Sequence, residues 1–471
     1  MEFEEQQPQS SQSQHPAEAP AESRLGADRT KLSLMHFAFP ILIENIMWVA
    51  MTTADVLMLS FYSEKAVAAV SLVAQFVFFI NLFYLMVASG ASILISQNLG
   101  ARDTVTAGRI AQGSVVLSVI LSVLVSAVMC LSADWIISHY KLDGDVHKYA
   151  VQYLMIYSAG SMAAAIYIIV DIIIRSYGHT RELMFVNVGT MILNVTGNYI
   201  FIFGAFGAPV LRVKGVALST VLSYSIACVI LYFILKRKRD IKLERGGFFK
   251  VPKSIYRQIL AVGIPTAGEN MSYNLSQIVI MRIVAALGTD AMTAFAYAMT
   301  VLRFVFIVPI SIGHAVQIKV GYFVGAKMAD IAQRKVYRYW ALGFAISLGL
   351  VIIAKIFEAP FLNIFTQNAE IQGLAFGILT VALLHEPGRN FNVIIIPALK
   401  GAGDVRFPVY VGMIFMWGVG VTLAYIFGIK FGWGLAGICL GMAFDEWSRG
   451  AVIFWRWRKG RWKTKALVGK N

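Results

Sequence analysis

Three landmarks in this chain of 471 residues occur twice, and always at the same separation. Pro40-x3-Glu44-Asn45 returns as Pro265-x3-Glu269-Asn270, Gly100-Ala101-Arg102 as Gly325-Ala326-Lys327, and Arg175-x2-Gly178 as Lys400-x2-Gly403. Each pair lies 225 residues apart (265 − 40, 325 − 100, 400 − 175). An offset kept over a stretch of about 140 residues marks a duplicated structural unit, so the two halves take the same topology.

The unit is a membrane unit. Mean hydropathy is +0.67, and 58% hydrophobic against 14% charged residues exclude an ordinary soluble domain of this length. Each half divides into six apolar stretches, each long enough to cross a bilayer core of roughly 30 Å as a helix. Spans 1 to 6 fall at about 34–61, 66–98, 107–132, 149–177, 183–205 and 213–235. Spans 7 to 12 fall at about 256–287, 292–322, 332–357, 371–400, 405–429 and 434–457. The expectation is an all-α polytopic membrane protein with twelve transmembrane helices in two pseudo-symmetric six-helix lobes. Parallel repeats about an axis along the membrane normal are one of the architectures of transporters.

The net charge of +15 is uneven. Basic residues crowd the even-to-odd connections and the C-terminal end, as at Arg102/Arg109, Lys236 to Lys253, Lys327/Arg334/Lys335 and Arg456 to Lys465. The opposite connections, such as Ser63-Glu64-Lys65, are short or mixed. The positive-inside rule then puts both termini in the cytoplasm of a multi-pass protein of the cell membrane. Clusters confined to span ends describe topology and not a nucleic-acid surface. Residues 1–30, rich in Glu, Gln, Ser and Pro, read as a disordered cytoplasmic tail and lack a signal-peptide core. The N-lobe is expected over 31–236, a linker over 237–254, the C-lobe over 255–458 and a basic tail over 459–471. Cys130, Cys228 and Cys439 each sit alone in an apolar span, which argues against disulfides and metal binding.

Ionisable groups inside a bilayer cost about 2.5–3.5 kcal/mol each on insertion scales, so each is a functional candidate. Asp55 lies near the outer end of span 1. Asn194 and Asn198, four apart on one face of span 5, and Thr220 of span 6 fall at a similar depth, about 10 Å in at 1.5 Å per residue. One carboxylate with amide and hydroxyl oxygens suits a proton or a hard monovalent cation. Interhelical hydrogen bonding by Asn and Thr is the plainer alternative. The position 225 after Asp55 is Ile280, so the second half has no twin acid. Glu44 and Glu269 do recur, and as an acid one turn after a proline Glu44 reads as a helix-start device; Glu269 is a C-lobe gate or substrate candidate. Span 10 carries His385-Glu386-Pro387-Gly388-Arg389-Asn390, expected to break the helix near mid-membrane and to serve as a gate or relay. Arg303 is a further gate candidate, Asp171 and Arg175 form a local i,i+4 pair, and Lys319 and Lys355 snorkel to span ends. Nothing resembles a phosphate-binding loop, so ATP is not expected to drive transport, and no cofactor is expected.

With these spans and this repeat, the chain resembles the multidrug and toxic compound extrusion (MATE) family over about residues 30–460. The likeness rests on Thr53-Ala-Asp55, Gln97-x2-Gly100, Arg175-x2-Gly178-x-Thr180, Asn194-x3-Asn198 and Lys400-Gly-Ala-Gly403-Asp404. The resemblance implies a V-shaped pair of lobes and an antiporter in which cation entry (H+ or Na+) drives export of amphipathic, often cationic organic compounds. It makes Asp55 the coupling acid, with Asn194, Asn198 and Thr220 completing the cation site. Two departures stand out: some members have a second acid where this chain has Asn198, and others a span 10 aspartate near Arg389. Small organic substrates and membrane lipids are the expected partners, with the protein acting as a monomer. The alternatives are a lipid-linked precursor flippase, which needs a strongly cationic cavity, and an intramembrane enzyme, which needs convergent acid, base and metal ligands.

Overall fold

A computed structural model describes residues 29–140, 142–238, 240–243 and 247–468. Every described element is a helix, and twelve long helical rods occupy the twelve expected places. The first lobe comprises span 1 (Leu34–Ser60), span 2 (Glu64–Gly100), span 3 (Thr104–Ser138), span 4 (Gly144–Ala159 and Ser161–Ser176), span 5 (Thr180–Phe203) and span 6 (Val213–Arg237). The second comprises span 7 (Lys253–Ala285), span 8 (Thr289–Gly325), span 9 (Ala329–Ile356), span 10 (Ala369–Gly401), span 11 (Arg406–Lys430) and span 12 (Gly434–Arg458). Spans 2 and 8 begin and end at positions offset by 225 (289 − 64, 325 − 100). The repeat extends to the backbone between spans. Arg102 and Lys327 share φ values of 63° and 60°, and Gly178 and Gly403 share 91° and 93°.

Nine of these rods are long and apolar enough to cross a membrane, with the two pieces of span 4, bent by 51°, counted as one. Spans 7, 10 and 12 fall short because polar and charged residues interrupt them, among them Glu269, His385, Glu386, Arg389, Asp445, Glu446 and Arg449. Those residues lie on the three helices that build the polar centre of the second lobe.

The apolar cores explain the shape. One core belongs to spans 1 to 6 alone, around Tyr84, Tyr153 and Ile202, and another to the second lobe alone, around Val284, Val301 and Leu379. A third is shared. There Phe37, Leu94 and Leu99 of the first lobe pack with Ile312, Tyr322 and Leu399 of the second. All of these shared residues sit at the end of the helices nearest both termini. The lobes are thus joined at one end and separate towards the other, which is a V. Close contact at the joint requires glycine: a Cβ on Gly100 would lie 2.2 Å from the Tyr322 carbonyl oxygen, and one on its twin Gly325 1.9 Å from that of Gln97.

Three expectations change here. The span 10 helix is not broken at Pro387-Gly388; it runs unbroken from Ala369 to Gly401. Proline removes only the amide donor to the Leu383 carbonyl, and span 12 supports this turn: Trp447 donates to the adjacent Leu384 carbonyl at 2.8 Å, and Gly388 leaves room for its indole. Irregular backbone occurs instead in span 11, where Met416–Val421 and Ile426–Lys430 are wound as π-helix. Lys319 does not snorkel. It is fully buried and donates to the carbonyls of Thr30 at 3.0 Å and of Leu32. The tails are also more ordered than expected at their inner edges. Residues 1–28 lie outside the described residues, but Arg29 is buried and pairs with Asp240 at 2.8 Å. Arg461–Lys465 form a 3-10 turn whose Trp462 is buried.

Candidate functional site

The structure brings together all four first-lobe residues expected to form a cation site. Buried Asn198 donates from Nδ2 to Asp55 Oδ1 at 2.5 Å and lies 3.3 Å from Asn194 Oδ1. Asn194 in turn donates to Thr220 Oγ1 at 3.0 Å, and Ser219 fixes the backbone of Asn194 with a 2.8 Å bond to its carbonyl. The helical period explains the convergence. Asn194 and Asn198 are one turn apart on the buried face of span 5, and this face packs on span 1 where Asp55 projects. Asn198 is 0% exposed, and its Oδ1 has no hydrogen-bond partner. A buried amide oxygen without a donor is costly, about 1–3 kcal/mol, unless something arrives to use it. The donor set is entirely oxygen with a single carboxylate, so one positive charge neutralises it. Beside it, Met47, Met51 and Met191 line an apolar groove of about 260 Å³ between spans 1 and 5.

The second-lobe candidates converge in part. Glu386 Oε1 lies 3.1 Å from His385 Nδ1 and 3.3 Å from Arg389, whose guanidinium covers the Phe306 ring at 3.6 Å. Glu269 stands apart from that trio, paired with Lys400 at 2.6 Å. Arg303 is exposed on span 8 and joins neither group. Sequence reading missed the other half of this centre. On span 12, Arg449 bridges Asp445 at 3.1 Å and Glu446 at 2.8 Å, and Asn392 donates to Glu446 Oε2 at 2.7 Å. Three charges in the middle of an otherwise apolar span were signal enough to find them. With Tyr273 and His385 these acids border a small cavity of about 60 Å³, room for an ion or a water or two rather than an organic molecule.

Arg175 also has more partners than expected. Besides Asp171 at 2.7 Å it holds Glu44 at 2.5 Å. Glu44–Arg175 and Glu269–Lys400 are the same ion pair in the two repeats, since both members are offset by 225 (269 − 44, 400 − 175). Glu44 is therefore a tertiary contact and not only a helix-start device.

Comparison with known proteins decides the family. The MatE family model matches residues 40–200 and 265–426, one match in each repeat. This chain belongs to the MatE family. Among curated relatives, the "Uncharacterized transporter YisQ" of Bacillus subtilis (strain 168) is 37% identical over 444 residues, 94% of this chain and 97% of the relative. The "Probable multidrug resistance protein NorM" of Thermotoga maritima is 27% identical over 93% of this chain and 94% of its own. Among solved structures, the "Outward-facing conformation of a multidrug resistance MATE family transporter of the MOP superfamily" matches with a TM-score of 0.87 at 21% identity, covering 95% of this chain and all of the other. That likeness shows the fold, which is the expected pair of six-helix lobes. As a MatE protein the chain is a multi-pass membrane transporter and not an enzyme.

Proposed function

We propose that this MatE transporter is a cation-coupled antiporter that exports amphipathic, often cationic organic compounds across the cell membrane. The observation that carries the reading is Asp55 hydrogen-bonded to buried Asn198, whose own oxygen lacks a donor. Either H+ or Na+ neutralises this single carboxylate, and Asn194, Asn198 and Thr220 supply oxygens for a bare metal ion. Counting positive charges in the connections puts the termini, and with them the closed end of the V, in the cytoplasm. Asp55 then faces the outer half, where a coupling cation arrives. Neutralising it removes the charge that holds Asn198, weakens that hydrogen bond and lets spans 1, 5 and 6 repack around the methionine-lined groove. Methionines fit varied apolar shapes, and Asp55 at the groove's edge attracts a cationic headgroup. Cargo and cation thereby compete, and a difference of a few kcal/mol between states suffices for exchange. No cofactor enters this scheme, and one chain contains both lobes, as a monomeric carrier requires.

The test is ethidium efflux from cells expressing wild type or Asp55→Asn at matched levels, with the Na+ and proton gradients varied separately. Gradient-dependent efflux in the wild type and its loss in the variant are expected, and the gradient that matters names the ion. Normal efflux by Asp55→Asn would overturn the assignment.

A further inference from the structure

The first lobe contains a second polar centre below Asp55. Tyr167 donates to Asn187 Oδ1 at 2.7 Å, Asn187 donates to Asp171 Oδ1 at 3.0 Å, and Asp171 and Glu44 share Arg175. The count is two carboxylates to one guanidinium. The Glu44 side chain is 9% exposed, and its Oε1 is buried with no hydrogen-bond partner. The repeat supplies an internal control. In the second lobe Glu269–Lys400 is one acid to one base, because the twin of Asp171 is Ile396. Away from the helix ends, the acids that the first lobe adds to the shared scaffold are thus Asp55 and Asp171, replaced by Ile280 and Ile396. The asparagines beside them are likewise replaced, Asn187, Asn194 and Asn198 by Gly412, Val419 and Leu423. Those asparagines line one buried face of span 5, with Asn187 and Asn198 about 16 Å apart at 1.5 Å per residue. Between the two centres the Tyr224 ring lies on Tyr167 at 4.9 Å.

We propose that Glu44 and Asp171 form a second proton site of this lobe, with Arg175 balancing one carboxylate and the proton the other. This rests on Asp55 being the coupling acid and adds a station nearer the closed end. The proton binds a carboxylate oxygen, Glu44 Oε1 being the one without a donor, and leaves to water when that end opens. The groups facing it are Arg175 and Asp171 of span 4, Tyr167 of the same span, Asn187 of span 5, and His314 of span 8, which neighbours both Arg175 and Lys400. An unneutralised spare carboxylate at this depth is what the site avoids.

The experiment is infrared titration of the protonated-carboxyl stretch in full-length protein reconstituted in lipid vesicles. Wild type is compared with Asp55→Asn, Glu44→Gln and Asp171→Asn. Both Glu44→Gln and Asp171→Asn leave a one-to-one pair with Arg175, so each is expected to lose the same titrating band, one proton per protein, and to keep the Asp55 band. Should Glu44→Gln fail to fold, Asp171→Asn reads the same band. Wild-type spectra from both variants, with a band missing only in Asp55→Asn, would overturn the second site and leave the Asp55 reading standing. A band lost in Glu44→Gln but none in Asp55→Asn would do the reverse.

Discussion

Gln97 and Tyr322 are twins in the two repeats (322 − 97 = 225), and each donates its side chain to a backbone carbonyl of the opposite lobe. Gln97 Nε2 bonds the Gly401 oxygen at 2.8 Å, and Tyr322 Oη bonds the Ser176 oxygen at 2.5 Å. The acceptors are twins as well (401 − 176 = 225). The closed end of the V is therefore held by a pair of latches related by the pseudo-two-fold axis, each reaching from the second span of one lobe to the end of the fourth span of the other. Asn45 adds a further cross-lobe bond to Ser311 at 2.9 Å.

Opening this end must break both latches. Gln97→Ala or Tyr322→Phe leaves a buried carbonyl short of a donor, worth about 1–3 kcal/mol against the closed state, or a shift of roughly 5- to 150-fold in the conformational ratio. Spin labels on the exposed residues Val105 and Arg334 would report it. Each variant is expected to widen the distance distribution between these labels, and the double variant to widen it more. An unchanged distribution in the double variant would show that apolar packing alone closes the end.

How much of this was legible depended on the range of the interaction. Span positions were readable because proline, glycine and basic residues punctuate each helix end. The Asp55 cluster was readable because Asn194 and Asn198 are one turn apart and fall at the depth of Asp55. The partnership of Glu44 with Arg175, 131 residues away, was not read, although both recur at the same offset and a recurring acid with a recurring base is a hint of pairing. Pro387-Gly388 misled for a different reason. The breaking tendency of that dipeptide is local, whereas Trp447 packs on it from another helix, in the space that Gly388 leaves, and bonds the Leu384 carbonyl.

The N-terminal anchor is sensitive to pH. Asp240, in the connection between lobes, meets Arg29 at 2.8 Å and His179 at 3.0 Å. Burial alone raises its carboxyl, but the His179 hydrogen bond and the charges of His179 and Arg29 outweigh burial and hold it below the usual aspartate range. A depressed folded pKa contributes stability above the unfolded value, near 3.9, and loses it as pH falls through the folded one. Trypsin cleavage at Arg29 at neutral pH is expected to be slow in wild type and fast in Asp240→Asn, and hydrogen exchange of the Arg29 segment, corrected for its intrinsic pH dependence, to accelerate in wild type at the acid end of that window. Equal cleavage of both proteins at neutral pH would remove Asp240 from the anchor.

The two lobes should respond oppositely to loss of charge. Arg449→Leu strands Asp445 and Glu446 in a buried site, and breaking such a set typically costs about 3–5 kcal/mol. Asp55→Asn removes a half-buried charge that pairs with no cation among the described residues, and keeps an oxygen for Asn198. Melting in detergent is expected to show a large fall for Arg449→Leu and no fall for Asp55→Asn. A large fall in both would make the Asp55 cluster a structural element in its own right.

The C-terminal tail bridges the lobes, and one side chain seats it. Trp462 is fully buried, stacks on Trp457 with centroids 4.1 Å apart and donates to the Trp457 carbonyl at 2.9 Å. Lys463 then pairs with Asp330 at 2.6 Å, and Leu467 donates its amide to Gln97 Oε1 at 2.8 Å. The tail of the second lobe thus engages the residue that latches the first, as Lys319 of the second lobe holds the N-terminal segment at Thr30 and Leu32. Truncating a buried tryptophan to alanine costs about 3–5 kcal/mol, and because the tail lies at the chain end that cost falls on local opening rather than on the whole fold. Trp462→Ala is expected to speed tryptic cleavage at Lys463 and Lys465 by about a hundredfold or more, while the melting of the helical bundle changes little. With its Leu467 bond lost, Gln97 keeps only the Gly401 contact, so the same spin-label pair is expected to shift partway towards the double latch variant. Cleavage as slow as in wild type would mean that the ion pair to Asp330 and the Gln97 bond hold the tail without the indole.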